Sequence, residues 1–210
     1  MKNIITIQHT QSLQHTNGMI GSWRDWDLTD LGIKQAERIG ERLSKEIHNK
    51  QYIMYSSDLL RARHTAQIIA GYLGIEPSYS DALREMNLGE AIGKSKEWAR
   101  QNIKCPVWSD TVDWPNNIDD KPFTGSESKK DVWNRLLGFY DQVLRNESNN
   151  MLIVSHGGTL SIFYSLWISK DIHILDKHNF SGISGGVSFL SEDDNHNHII
   201  SRLNDLSYIQ

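Results

Sequence analysis

Apolar positions along the chain change period several times, and each change marks an element. Asn3 to Gln8 is β-branched and apolar, with polar residues after it, which predicts a buried first strand ending at His9. Thr10 to Asp27 is polar and carries Gly18, Gly21, Trp23 and Trp26, as a loop does. Thr29 is a good N-cap and Asp30 suits a first helical turn; Ala36, Ile39, Gly40, Leu43 and Ile47 then fall on one helical face. Tyr52 to Tyr55 predicts a second strand. Ser57 is expected to cap a second helix that buries Ala62, Ala66, Ile69, Ala70 and Leu73 and stops at Gly74, with Pro77 barring continuation.

Periodicity then fades. Gly89 to Thr124 holds Trp98, Trp108, Trp114, Phe123 and three prolines, which predicts an insert or cap with one short helix near Ser95 to Ile103. Thr124-x-x-Glu127 has the spacing of a capping box opening the next helix, whose stripe is Val132, Leu136, Phe139, Tyr140 and Val143. Met151 to Val154 is wholly apolar, as a strand buried on both faces should be. Ser155-His156-Gly157-Gly158 follows, then a helix from about Thr159. Strands are expected over Val187 to Leu190 and His198 to Arg202, with a turn at Glu192 to Asn197. Strands alternating with helices predict one three-layer α/β/α domain over residues 1–210, with a central, mostly parallel sheet and an insert at about 89–124.

The chain has 210 residues, 38% of them hydrophobic and 23% charged, an ordinary globular composition that disfavours disorder. At this length roughly 70% of the unfolded surface can be buried. The net charge of −4 lacks the basic excess of a nucleic-acid binder. A single cysteine, Cys105, cannot form an internal disulfide. No apolar run approaches the length of a membrane span, and Met1 to Ile4 opens no apolar leader, so a cytoplasmic protein is the expectation.

In open α/β sheets ligands sit beyond the carboxyl ends of the strands, and two strands here end in histidine, His9 and His156. One such histidine reads best as a structural residue; two at equivalent positions point to a site. Arg61 lies in the first turn of a helix leaving a strand end, a place suited to an anion, and His64 shares its face. Glu85, in Leu83-Arg84-Glu85-Met86, could act as an acid if apolar neighbours raise its pKa. Gly182-Ile183-Ser184-Gly185-Gly186 matches a nucleophile elbow, but too little chain follows Ser184 to supply the missing partners. His196-x-His198 reads as a solvated hairpin tip, and Asn146-Glu147-Ser148 is a glycosylation sequon without a secretory context.

Together these segments resemble the histidine phosphatase superfamily, whose fold is phosphoglycerate-mutase-like. Gln8-His9-Thr10 stands at its Arg-His-Gly position, and Asp25 to Gly32 at its Asp-x-x-Leu-Thr-x-x-Gly segment. Ser57 to Ala66 matches Ser-Asp-Leu-x-Arg-Ala-x-x-Thr-Ala, and Leu83 to Glu85 matches Leu-Arg-Glu. Gly125 to Ser128, Ser155 to Gly157 and Asn204-Asp205 complete an ordered series spanning nearly the whole chain.

The resemblance implies a metal-independent phosphatase, without cofactor, that hydrolyses a small phosphomonoester. It makes His9 the nucleophile, Arg61 and His156 the ligands of the phosphoryl oxygens, and Glu85 the acid for the leaving oxygen. Gln8, Thr10 and His15 join Arg61 and His156 as expected substrate-binding residues. The expected partner is a small phosphate ester, with no nucleic acid and no membrane; a homodimer is left open. Two other readings stand beside this one. A phosphoglycerate-type mutase is disfavoured because Met86 to Gly93 lacks that group's longer basic-aromatic signature. A non-catalytic phosphate binder is raised by Gln8, which keeps an amide but loses the charge and two-pronged geometry of arginine. His15, His64, Arg24 and the Thr10 hydroxyl are candidates to compensate. Trp98, Trp108 and Trp114 are candidates for substrate contact.

Overall fold

In the computed structural model, residues 2–48, 51–108, 114–146 and 148–210 are described. Six strands, β1 (Asn3–Gln8), β2 (Ile53–Ser57), β3 (Pro77–Ser80), β4 (Asn150–Ser155), β5 (Val187–Glu192) and β6 (His198–Asp205), form one sheet in the order β3-β2-β4-β1-β5-β6. β1, β2, β3 and β4 pair in parallel, while β5 runs antiparallel to both β1 and β6. Five helices accompany the sheet: α1 (Asp30–Glu46), α2 (Leu60–Leu73), α3 (Lys96–Asn102), α4 (Lys129–Arg145) and α5 (Gly157–Ile168).

Alternation along the central strands sends side chains to two cores. Ile5, Ile7, Leu152 and Val154 pack with Ile39, Leu43, Ala62, Ala66 and Ile69 of α1 and α2. Ile4, Met151 and Ile153 pack with Val132, Leu136, Tyr140, Phe163 and Trp167 of α4 and α5. Helices on both faces make the sheet the middle of three layers, which is why β1 and β4 carry no polar alternation beyond Thr6. Thr6 is buried, and its hydroxyl meets the Tyr164 hydroxyl at 2.7 Å.

Several boundaries differ from expectation, each for a local reason. Ser57 does not cap α2: Leu59 holds the N-cap position, and the amide of Leu60 is satisfied by Asp25 Oδ1 at 2.9 Å from a distant loop. The capping box of α4 is Ser128 with Asp131, four residues beyond the Thr124 start, while Thr124 instead donates to Glu90 at 2.7 Å. Pro77 both bars helix continuation and opens β3, an edge strand where its missing N–H costs nothing. α5 begins at Gly157, two residues early, and β6 continues to Asp205. Residues 182–186 are a loop entering β5, so Ser184 sits on no strand-to-helix elbow. The histidines of His196-x-His198 part company, His196 pairing with Glu192 and His198 stacking on Trp167. Glu147 of the sequon and residues 109–113 of the insert lie outside the described residues.

Candidate active site

The carboxyl ends of β1 and β4 lie side by side, with Gln8 opposite Ser155, so the next residue of each strand, His9 and His156, reaches the same end of the sheet. Their rings meet edge to face with centroids 5.0 Å apart, and both are buried. The His9 Nδ1 lies 2.8 Å from the carbonyl oxygen of Thr10. That oxygen can only accept, so Nδ1 carries the proton and Nε2 the lone pair. Arg61 Nε donates to this Nε2 at 3.2 Å. Burial first, then the Arg61 charge and His15, hold His9 well below the ordinary histidine range, so Nε2 stays unprotonated at neutral pH. His156 is lowered too, by burial and then by Arg61; its Nε2 meets Ser57 Oγ at 2.8 Å, and its buried Nδ1 has no partner.

Arg61 is fully buried, and among the described residues no carboxylate lies within ion-pair distance of it. Its Nη1 donates to the Arg24 carbonyl at 3.0 Å and its Nη2 to the Ser22 carbonyl at 2.7 Å. Burial lowers it to about 10, which leaves it charged through the neutral range. Ser22 holds a φ of 43°, a costly value for a non-glycine residue. Its hydroxyl donates to Met86 O and accepts from Leu88 N, and these bonds pin the backbone that aims its carbonyl at Arg61.

Glu85 faces the start of α5. Its carboxylate accepts from the amides of Gly158 at 3.3 Å and Thr159 at 3.2 Å, where the helix presents unpaired N–H groups. A Cβ on Gly158 would lie 2.8 Å from Glu85 Oε1, so only glycine lets the carboxylate approach this end. The Glu85 backbone is anchored from two sides: Trp23 Nε1 donates to its carbonyl at 2.7 Å, and Arg135, paired with Glu127, donates to the carbonyls of Ala82, Arg84 and Glu85.

A cavity of about 410 Å³ opens above these groups. Gln8, His9, His15, Ser22 and Glu85 line its floor. Met19, Ile20, Met86, Leu88, Trp114 and Phe180 give an apolar wall, and Gln14, Asn179 and Ser181 give polar points. His15 stacks on His9 with centroids 5.4 Å apart and planes 9° from parallel. Its Nδ1 accepts from the Ser12 amide at 3.1 Å, so the proton of the neutral ring sits on Nε2. Partial burial, then Arg61 and Lys96, lower His15 to about 4.

A profile of the histidine phosphatase superfamily (branch 1) matches residues 4–205. The chain belongs to this family. A Hydrogenobacter thermophilus protein named "Putative phosphoserine phosphatase 2" is 34% identical over 160 residues, covering 76% of this chain and 75% of its own. A 2,3-bisphosphoglycerate-dependent phosphoglycerate mutase of Methylorubrum extorquens is 31% identical over 166 residues, covering 75% and 74%. Among solved structures, Bacillus stearothermophilus YhfR superposes with a TM-score of 0.77 at 24% identity over the full length of both chains. Those figures place this chain in the phosphoglycerate-mutase-like fold of the superfamily.

Within that histidine phosphatase frame, His9, Arg61, His156, Glu85, His15 and Gln8 converge on one end of the sheet. The Thr10 side chain does not: its hydroxyl is buried against Thr65 Oγ1 at 3.2 Å, and what Thr10 contributes is the carbonyl that fixes the His9 tautomer. His64 pairs with Asp27 and Arg24 contributes its carbonyl, so of the expected compensators for the Gln8 position only His15 lines the cavity. The Gln8 amide is wedged between Gly157 and Gly182, whose Cβ atoms, if present, would lie 3.2 Å from Nε2 and 2.7 Å from Oε1. Trp114 reaches the cavity; Trp98 stacks on Phe123 and Trp108 packs on the core, away from it.

Two cations on the cavity rim escaped sequence reasoning. Lys96 and Arg100 sit one turn apart on α3, both exposed, and neither pairs with a carboxylate among the described residues. Their i, i+4 spacing was the available signal, but a short helix in an aperiodic insert gives no reason to favour that face over another.

Proposed function

We propose that this protein is a phosphatase that hydrolyses a small anionic phosphomonoester through a phosphohistidine on His9. The observation that carries the reading is the His9 Nε2, left unprotonated because the Thr10 carbonyl holds the ring proton on the opposite nitrogen; it accepts from Arg61 Nε at the cavity floor, a contact the incoming phosphoryl group would have to displace. In the first step Nε2 attacks phosphorus and the ester P–O bond breaks. Glu85, in its acid form, delivers a proton to the departing oxygen. In the second step water attacks the phosphohistidine and the P–N bond breaks. Glu85, now a carboxylate, takes the water's proton and inorganic phosphate leaves.

Arg61 supplies the fixed positive charge for the phosphoryl oxygens, and the unpartnered Nδ1 of His156 and the Nε2–H of His15 are the neutral groups placed to join it. Lys96 and Arg100 extend the positive field to the rim, which favours a substrate with negative charge beyond the phosphoryl group. The apolar wall formed by Met19, Ile20, Leu88 and Trp114 suits a compact organic moiety.

The test is a phosphomonoester panel assayed for phosphate release, with brief substrate labelling and acid treatment of the denatured protein. Label that is stable to base and lost in acid, absent in His9→Ala, supports the reading. No label with any ester, alongside tight phosphate binding, would replace it with the binding-protein reading that Gln8 raises. The mutase reading is favoured by the relatives that carry that name. It predicts label moving to a second organic acceptor in place of release to water.

A further inference from the structure

Lys129 is the first residue of α4, and it is fully buried. A lysine is almost never buried without something to hold its charge, and an apolar residue of similar volume would cost less at such a place. Its ammonium donates to the Leu175 carbonyl at 2.6 Å. The same nitrogen lies 5.5 Å from the ring centre of Trp108 and 5.3 Å from that of Trp114, within the range of cation–π attraction. No carboxylate comes within ion-pair distance of it among the described residues; Asp176, on the turn over Ile172–Asp176, and Asp120, on the insert, act on it from further away.

These partners belong to two walls of the cavity. Trp114 is itself a wall residue, and Trp108 is tied to it by a 3.0 Å amide-to-carbonyl bond. Leu175 sits in the short helical turn that runs into Asn179, Phe180 and Ser181 on the facing wall. Among the described residues no hydrogen bond joins Trp114 to that turn directly. One ammonium group therefore stands between the insert and the 172–182 segment.

We infer that Lys129 is a positioning residue that ties the Trp114 wall to the 179–181 wall through its charge, and so sets the width of the cavity and the fit of the substrate's organic moiety. It touches neither substrate nor reacting atoms. Burial lowers its pKa to about 8, so the tie loosens just above neutral pH as the ammonium loses its proton. Cavity fit would then weaken on the alkaline side, while the phosphoryl end, built on strand ends, stays as it is.

The substrate arm of this inference rests on the phosphatase reading, so its test includes a readout that needs no turnover. The tryptophan emission of the whole protein is titrated from pH 6 to 10 in wild type, Trp114→Phe and Lys129→Met. A transition near pH 8 in wild type that both variants lack is expected. A wild-type emission that is flat through pH 8, or a transition that Lys129→Met keeps, would overturn the inference whether or not the protein is a phosphatase. The second readout uses p-nitrophenyl phosphate, with inorganic phosphate as competitor. Lys129→Met should raise KM about tenfold with a much smaller change in kcat and little change in the phosphate inhibition constant. Lys129→Arg, which keeps charge and cation–π contact, should recover most of the loss. Equal losses in kcat and in phosphate binding, or no recovery in Lys129→Arg, would mean a merely structural lysine. Should Lys129→Met fail to fold, the wild-type titration and Trp114→Phe still decide. Should wild type turn over no ester at all, the phosphatase reading fails while the emission titration still judges Lys129.

Discussion

His9, backed by the buried Arg61 and His156, forms one wall of the cavity, and Lys96, Arg100 and Trp114 form another, and the two are built on opposite terms. The first wall stands on strand ends and a helix start. Its groups are buried, and His9 is fixed in one protonation state by bonds on both ring nitrogens. The second wall stands on a segment with little periodicity, and its two cations are exposed and pair with no carboxylate among the described residues. The difference is one of reorganisation. A group that meets a developing charge works best when its position is settled beforehand by the scaffold. A group that selects among substrates needs only reach and charge. On the proposed phosphatase reading the two walls should divide kcat from KM, and the strongest ways to break that contrast come from the strand-end wall.

His9→Ala should lower kcat by about a thousandfold or more, while circular dichroism shows a folded protein. Turnover within a few-fold of wild type would remove His9 as nucleophile and dissolve the contrast. Arg61→Lys keeps a charge but loses the guanidinium that reaches His9, Ser22 and Arg24 together, and should cost about a hundredfold in kcat. Glu85→Gln should cost a similar factor with esters of poor leaving groups and much less with p-nitrophenyl phosphate, whose leaving oxygen needs little help. Equal losses on both esters would take Glu85 out of the acid role.

On the other wall, the double variant Lys96→Ala/Arg100→Ala should raise KM about tenfold for a doubly anionic ester and leave kcat nearly as it was. A kcat loss as large as the KM change would put the insert into the chemistry. Gln8→Arg bears on the border between the walls. It adds a cation to a site that already holds Arg61 and, at the rim, Lys96 and Arg100, and it lengthens a side chain wedged between Gly157 and Gly182. A severalfold drop in kcat/KM is expected. A clear rise, with His15→Ala silent, would mean that Gln8 is a simple loss.

The pH profile sharpens the same contrast by the smallest effect. His9 is lowered well below 6.5, so its lone pair is lost only as pH falls far under that value, and the acid limb of kcat/KM should lie there. A limb at 6.5 would describe a solvated imidazole. Stability follows the same sign. His9 and His156 have folded pKa values below the unfolded one, so in acid the unfolded chain binds more protons. The melting temperature should fall as pH drops through 6.5 toward those lower values.

What the sequence determined is whatever one periodicity or one motif can state. The alternation of strands and helices, the two histidines at strand ends, Arg61 at a helix start and the ordered series of family segments were all legible before any coordinates. They were legible because each depends on neighbours within a few residues. β3 was hidden because four residues opened by a proline carry too little pattern to outweigh the breaker. The α2 cap was misplaced because its acceptor, Asp25, is 35 residues away. Thr10 looked like a ligand until Thr65 claimed its hydroxyl, and nothing in the local sequence around Lys96, Arg100 and Lys129 marks two of them for the cavity rim and the third for the interior. Only the tertiary structure decides such cases. Whether a polar group faces solvent, a partner or a ligand depends on residues far along the chain, and burial then works against its charged form, which keeps His9 neutral and lowers Lys129 to about 8.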